Sequence, residues 1–286
     1  MTVERRRGFS VRVFLPDGDP DGLKVVEKSN WNGCGLVIPR TLFGVVKSRP
    51  ELARPGVYVL VGETTDSPLP VVYVGEADSV RARLERHGRE EDFWTHVVVF
   101  TSKDQNLNKA HVKYLEARLV SLATTSKRCL LGNTNIPRPP SLSESDTAEV
   151  DGFLDDMLLC LPVLGISYFE PPASAALRDT QLLLTARGLV AQGYDTTQGF
   201  IVLKNSHALK TESNAILSYL AELRRQLLQQ GVLRDAGPVY EFTQDYTFDS
   251  PSMASGVLLG RSSNGRVEWK TADGRTLKSI QDAEID

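Results

Sequence analysis

The chain lacks most of the features that would place a protein outside the cell or in a membrane. It has only three cysteines, Cys34, Cys129 and Cys160, far apart, odd in number and without a CxxC pair. That excludes a disulfide framework and a structural zinc site, and it fits a reducing compartment. No run of about 18 apolar residues occurs, so no membrane span is expected. The basic start, MTVERRRGFS, has no apolar stretch behind it, so no secretory signal is expected and the protein is placed in the cytoplasm. Arg5, Arg6 and Arg7 are expected to form a solvated tail, with phosphate contact as the alternative. A surplus of positive charge is missing too: the net charge is −3 and the pI about 5.9. Any nucleic acid must therefore be met by local basic patches. What is present is an ordinary globular mix, 41% apolar and 24% charged over 286 residues, enough for two or three domains.

Periodicity divides the chain. Phe9 to Leu15 alternates apolar and polar residues, turn-forming residues fill Pro16 to Gly22, and Leu23 to Val26 reads as a second strand, so a hairpin is expected. Trp31, in an Asn-Trp-Asn-Gly turn, is expected to be a lid on a small core rather than a ligand contact. Val57–Val61 and Val71–Gly75 read as paired strands. Asp78 is a candidate N-cap for a helix that Gly88 ends. Phe93–Thr101 is a third strand, and Asn108 or Lys109 to Thr124 is an amphipathic helix carrying Val112, Leu115, Leu119 and Leu122. Pro137 to Ser145 has linker composition. A helix is expected from Asp146 to Leu161, where Pro162 breaks it, and Pro171–Ala176 marks a boundary. Further on, Leu182–Ala186 and Phe200–Leu203 read as strands and Thr211–Gln230 as a helix closed by Gly231. Ser250-Pro251 starts a short helix, and Asn264-Gly265 with Asp273-Gly274 give hairpin signals around Val267–Lys270.

One ordered set carries chemistry. Gly56-Val57-Tyr58 and Tyr73-Val74-Gly75 are followed by Arg83, by His87 one helical turn later, by Glu116 on the next helix, and by Asn133 and Asn135. The set, spanning about 80 residues, resembles the GIY-YIG nucleases. Phosphodiester hydrolysis needs an activated water, stabilisation of a dianionic transition state and help for the leaving oxygen. A hard ion such as Mg²⁺, or Mn²⁺, is commonly held by one or two carboxylates with several waters, and Glu116 is the expected ligand. The bland alternative is a salt bridge to Arg83 or Arg118. Arg83 is the natural phosphate clamp; otherwise it is one surface charge among Arg81, Arg86 and Arg89. Tyr58 and Tyr73 are either core aromatics or hydroxyls converging on one point, and the resemblance implies that one of them acts as general base toward water. His87 is a leaving-group acid or base helper, or a helix C-terminal residue favoured by the dipole. Asn133 and Asn135 orient substrate or make a turn. His96 and His111 are expected to be structural or on the surface. Glu76 stands where many members of that family carry a lysine or a small polar residue, and it would repel a phosphate unless it faces away or joins the metal shell.

Phe242 to Arg275 resembles a C-terminal domain of unknown function that often follows bacterial GIY-YIG domains, and similar segments in restriction and modification proteins imply DNA contact. Arg261, Trp269 and Lys270 there, with Arg86 and Lys109 in the nuclease segment, are the candidate nucleic-acid contacts. For the C-terminal group the alternative is a buried Trp269 and a solvated charged face. The expected architecture is α+β: a β element over 1–50, a small GIY-YIG core over 51–136 with a three-stranded antiparallel sheet flanked by helices, a linker and helix over 137–176, and an accessory domain over 177–286. The expected function is metal-dependent cleavage of nucleic acid, with DNA as the expected substrate. The rivals are a binding module with a degenerate centre and a regulatory protein acting through a protein partner.

Overall fold

The computed structural model describes residues 8–104, 106–170 and 180–283; Arg5, Arg6, Arg7 and the boundary expected at Pro171–Ala176 lie outside them. The chain divides into two compact units. The first comprises Met1–Thr64, Pro70–Thr125 and Cys129–Glu170, and the second Thr65–Leu69, Ser126–Arg128 and Pro171–Asp286. No helix among the described residues is long and apolar enough to cross a membrane.

The first unit runs β1 (Val11–Phe14), β2 (Lys24–Lys28), β3 (Gly33–Pro39), α1 (Phe43–Val46), β4 (Gly56–Thr64), β5 (Ser67–Ala77), α2 (Val80–Glu90), β6 (Trp94–Ser102), α3 (Lys109–Ser126), β7 (Leu130–Leu131) and α4 (Glu144–Cys160). Its strands form one sheet in the order β1-β2-β3-β6-β4-β5-β7. The expected three-stranded core is the adjacent set β6-β4-β5. The N-terminal strands continue the same sheet, because β3 pairs antiparallel with β6 from Gly33↔Ser102 to Pro39↔His96. Central strands covered on both faces are apolar throughout, and this holds for Val57–Val61 and Val97–Phe100, all 6% exposed or less.

Alternation along the strands sorts the side chains onto two faces. Val57, Val59, Val61, Val72 and Val74 pack with Leu115 and Leu119 of α3 and Phe153 and Leu154 of α4. Tyr58, Leu60 and the half-buried Tyr73 turn the other way, toward Val80 and Leu84 of α2. Each fully buried Leu or Val contributes roughly 1.5–3 kcal/mol, so the register that sends the two motif tyrosines toward α2 is fixed by the valines between them. Helix α2 differs from expectation at both ends. Ser79, not Asp78, is the N-cap, because the Asp78 carboxylate lies 3.4 Å from Lys109 Nζ, and Gly88 falls inside the helix. Helix α3 is capped by Asn108, whose Oδ1 accepts from the Ala110 and His111 amides.

The second unit contains β8 (Leu182–Ala186), β9 (Leu189–Thr196), β10 (Gly199–Val202), β11 (His207–Leu209), α5 (Ser218–Gln229), β12 (Leu233–Asp235), β13 (Val239–Phe242), β14 (Tyr246–Phe248), α6 (Pro251–Leu259), α7 (Gly265–Glu268) and α8 (Leu277–Ala283). Its two sheets run β14-β10-β9-β8 and β11-β13-β12. Helix α5 is shorter than its apolar period suggested. Ser213 uses its hydroxyl to cap the Ala215 amide and its own amide to reach Gly260 O, and such local bonds compete with helix. Asn264-Gly265 makes no hairpin: the Asn264 side chain accepts from the Arg266 amide and starts α7.

Candidate active site

Three elements converge on the α2 face of the sheet. The Tyr58 hydroxyl on β4 lies 2.9 Å from His87 Nε2 on α2. The Tyr58 and Tyr73 rings are 6.4 Å apart, and the Tyr73 and His87 rings 5.0 Å apart. Arg83, one turn before His87, hydrogen-bonds the Tyr58 hydroxyl. A guanidinium can only donate, so the phenol oxygen accepts from Arg83, while one proton is shared between the Tyr58 hydroxyl and His87 Nε2 according to the imidazole tautomer. Gly75 makes this possible: a Cβ there would collide with the Tyr58 hydroxyl and ring. The first motif's glycine has a like reason, since a Cβ at Gly56 would sit 2.7 Å from Phe100 O. Gly75→Ala is therefore expected to overpack the sheet and lose about 1–3 kcal/mol, read as a lower urea midpoint together with lost Tyr58–His87 geometry by NMR. An unchanged midpoint would show that β5 can move away from Tyr58.

Burial and the charges of Arg83 and Arg86 push His87 down to about 4. At neutral pH it is an uncharged imidazole, 5% exposed, facing inward. It stands in the last turn of α2, the helix C-terminal position expected for it. Its Nε2 is hydrogen-bonded to the Tyr58 hydroxyl, and its buried Nδ1 has no partner among the described residues. Burial likewise holds the Tyr58 phenol well above its ordinary value, against the pull of the Arg83 hydrogen bond.

Glu116, on α3, is half-buried. Burial and then the charge of Glu76 push its carboxyl up to about 7, against Arg83, Lys109 and Lys113. Among the described residues it has no ion-pair partner. Arg118 points instead to Asp151 Oδ1 at 2.6 Å and to the Tyr114 hydroxyl at 2.7 Å. No group of three His, Cys, Asp or Glu side chains able to hold a metal ion occurs among the described residues.

Glu76 is the feature whose surroundings the sequence did not disclose. It lies 2.8 Å from Lys109 Nζ, so Lys109 neutralises the carboxylate that would repel a phosphate. The expected role of Lys109 as a free nucleic-acid contact is corrected accordingly. The spacing of 33 residues between the two hides this pair from any local pattern. Arg83 makes no ion pair among the described residues, and its Nε is buried without a hydrogen-bond partner. Asn133 clamps β5 next to Tyr73: its side chain bonds Val74 N at 2.9 Å and Val74 O at 2.8 Å. Asn135 is exposed. Arg86 is half-exposed and 3.5 Å from Glu90, a pair of small energetic weight. His96 is half-buried, 3.2 Å from Thr95 Oγ1, and His111 is buried beside Asn108, as structural residues would be.

In the second unit Trp269 is fully buried, its ring 4.4 Å from Phe200 and its Nε1 donating to Pro251 O at 3.2 Å. The stacking role expected of it is excluded, because no base can reach the ring. Arg261 pairs with Glu268 at 2.6 Å. Lys270 is exposed, while its backbone bridges Leu183.

The comparisons with known proteins agree with this geometry. A family model described as GIY-YIG domain-containing protein matches residues 44–122, and one described as a domain of unknown function, DUF4357, matches residues 182–281. The chain carries a GIY-YIG domain, a nuclease-type module that implies a nucleic-acid substrate. Behind it lies a DUF4357 domain, so the architecture is that of a nuclease-type domain with a C-terminal accessory domain. No curated protein and no solved structure matches the chain.

Proposed function

We propose that the chain is a metal-dependent endonuclease that hydrolyses phosphodiester bonds in DNA. The observation that carries this is the convergence of Tyr58, Tyr73, Arg83 and His87, with Glu116 close enough for its charge to bear on Tyr58. Arg83 grips the non-bridging phosphate oxygens, with the fixed charge and paired donors that such oxygens need. Tyr73, the more exposed of the tyrosines, takes a proton from the attacking water. Tyr58, buried and bonded to both Arg83 and His87, is a positioning residue that holds the clamp. Glu116 would hold Mg²⁺ or Mn²⁺, with Glu76 beside it occupied by Lys109. Bound there, such an ion supplies positive charge to the phosphate and a more acidic water. The water oxygen bonds to phosphorus as the bond to the leaving oxygen breaks. Arg86, Arg261 and Lys270 are candidates for contact with the DNA backbone, and the free, buried thiols of Cys34 and Cys160 suit a cytoplasmic setting.

The test is cleavage of supercoiled plasmid, and of RNA of the same sequence, by wild type and Arg83→Ala with Mg²⁺, Mn²⁺ or chelator. Nicked or linear DNA is expected only with metal, with Arg83→Ala slower by about 10² or more. Equal cleavage by Arg83→Ala removes the clamp from the scheme. No cleavage of either nucleic acid with any metal leaves a binding protein.

A further inference from the structure

A cavity of about 440 Å³ opens in the first unit, walled by Trp31, Phe153, His111 and the amide side chains of Asn30, Asn32 and Asn106. It belongs to the sheet face covered by α3 and α4, opposite the face of the motif tyrosines. Nothing in the catalytic scheme uses it.

Four observations show a built site. The Trp31 Nε1 is buried and has no hydrogen-bond partner among the described residues, in a side chain 8% exposed. An orphaned buried N–H costs about 1–3 kcal/mol, and an indole can only donate, so the site lacks an acceptor. The indole is placed deliberately: a Cβ at Gly33 would collide with it, and its ring packs 5.1 Å from Phe153 and 6.1 Å from Phe100. Asn32 and Asn106 both donate from Nδ2 to the same Asp104 oxygen, at 2.8 and 2.9 Å, which leaves their carbonyl oxygens as fixed acceptors at the rim. Finally, Gly152 stands inside α4 on the cavity wall, and a Cβ there would meet nothing within 4 Å. Glycine in a helix interior costs about 1 kcal/mol relative to alanine. No packing contact requires it, and a leucine at this lining position would narrow the mouth of the cavity.

The charge of the wall narrows the ligand. It carries Glu149 and Asp156, the latter paired with Lys28 at 2.9 Å, and no lysine or arginine lines it among the described residues, so no free cation is on the wall for a phosphate. An uncharged flat ring with a carbonyl acceptor and N–H donors matches the aromatic walls, the indole N–H and the amide oxygens. We propose that this cavity binds a nucleobase. The choice of nucleobase among flat heterocycles rests on the nuclease reading above. The base is either free or turned out of a strand.

The experiment is calorimetric titration of the full chain with free nucleosides and with a short single-stranded oligodeoxynucleotide, using wild type, Trp31→Phe and Gly152→Leu. Thermal melting checks that both variants fold; Gly152→Leu is expected to melt no lower than wild type. Saturable binding is expected, about tenfold weaker in Trp31→Phe, which loses only the N–H donor, and abolished in Gly152→Leu. Nucleoside binding assigns a free base, and binding of the oligonucleotide alone assigns a base within a strand. No saturable binding of either probe overturns the proposal, as does binding that Gly152→Leu leaves unchanged. Should Gly152→Leu fail to fold, Trp31→Phe decides in the same way. Plasmid cleavage by the same preparation separates the two ideas: cleavage without base binding sinks only the pocket, and base binding without cleavage sinks only the nuclease.

Discussion

Glu116→Gln is expected to abolish strand cleavage and, at the same time, to stabilise the protein at neutral and higher pH. The loss of activity should reach about 10³-fold, some 4 kcal/mol of transition-state stabilisation, because the half-buried carboxylate proposed to hold the ion is gone. The gain follows from the pKa. The folded protein raises the carboxyl from 4.5 to about 7 through burial and the Glu76 charge. Between those values the folded form binds more protons than the unfolded chain, so stability falls as pH rises, and above about 7 the whole cost of the ionised form is present. Glutamine removes that cost. The gain is on the order of 1 kcal/mol once the water-exposed part of the side chain is allowed for. It should show in urea unfolding at pH 8 and vanish at pH 4. Added Mg²⁺ should raise the melting temperature of wild type and not of the variant. A variant that cuts at the wild-type rate, or that is less stable at pH 8 than wild type, would remove Glu116 from the metal site.

The two motif tyrosines should separate cleanly. Tyr73→Phe is expected to lower the single-turnover cleavage rate by about 10²–10⁴, the range for losing a general base, with stability changed by less than about 0.5 kcal/mol. Tyr58→Phe is expected to act mainly on the fold. It removes the hydroxyl 2.9 Å from His87 Nε2 and leaves an imidazole whose Nδ1 already has no partner among the described residues. An unsatisfied buried polar group costs about 1–3 kcal/mol, seen as a lower urea midpoint, and the rate should fall less than in Tyr73→Phe. The reverse pattern, a folded but inactive Tyr58→Phe beside an active Tyr73→Phe, would reassign the base to Tyr58.

Much of the nuclease-type domain could be read from residue order. The β-branched runs at Val57–Val61 and Val71–Val74 are strands because both sheet faces are covered, and Leu115 and Leu119 mark the covering helix. Two of the errors share one cause. Asp78 and Trp269 were claimed by partners far along the chain, Asp78 by Lys109 and Trp269 by Phe200 and Pro251. Asn264 kept a local partner but capped α7 instead of turning a hairpin. Likewise, the sequence carried no sign that Gly33–Pro39 would join the N-terminal strands to the nuclease-type sheet, since strand pairing over more than sixty residues leaves no local period.

By itself the sequence determined which groups are present and in what order: two tyrosines each one residue from a motif glycine, an arginine and a histidine one helical turn apart, and a glutamate at the edge of an apolar helix face. It could do so because helical and strand periods are local. Only the tertiary structure decided their states. It buried His87 until its imidazole was held uncharged at neutral pH, and it raised the Glu116 carboxyl through burial and the Glu76 charge. It also brought Lys109 to Glu76, and it left the Trp31 indole without a partner. Those outcomes depend on desolvation and on charges brought together from distant parts of the chain, and distance in space is what a one-dimensional pattern does not contain.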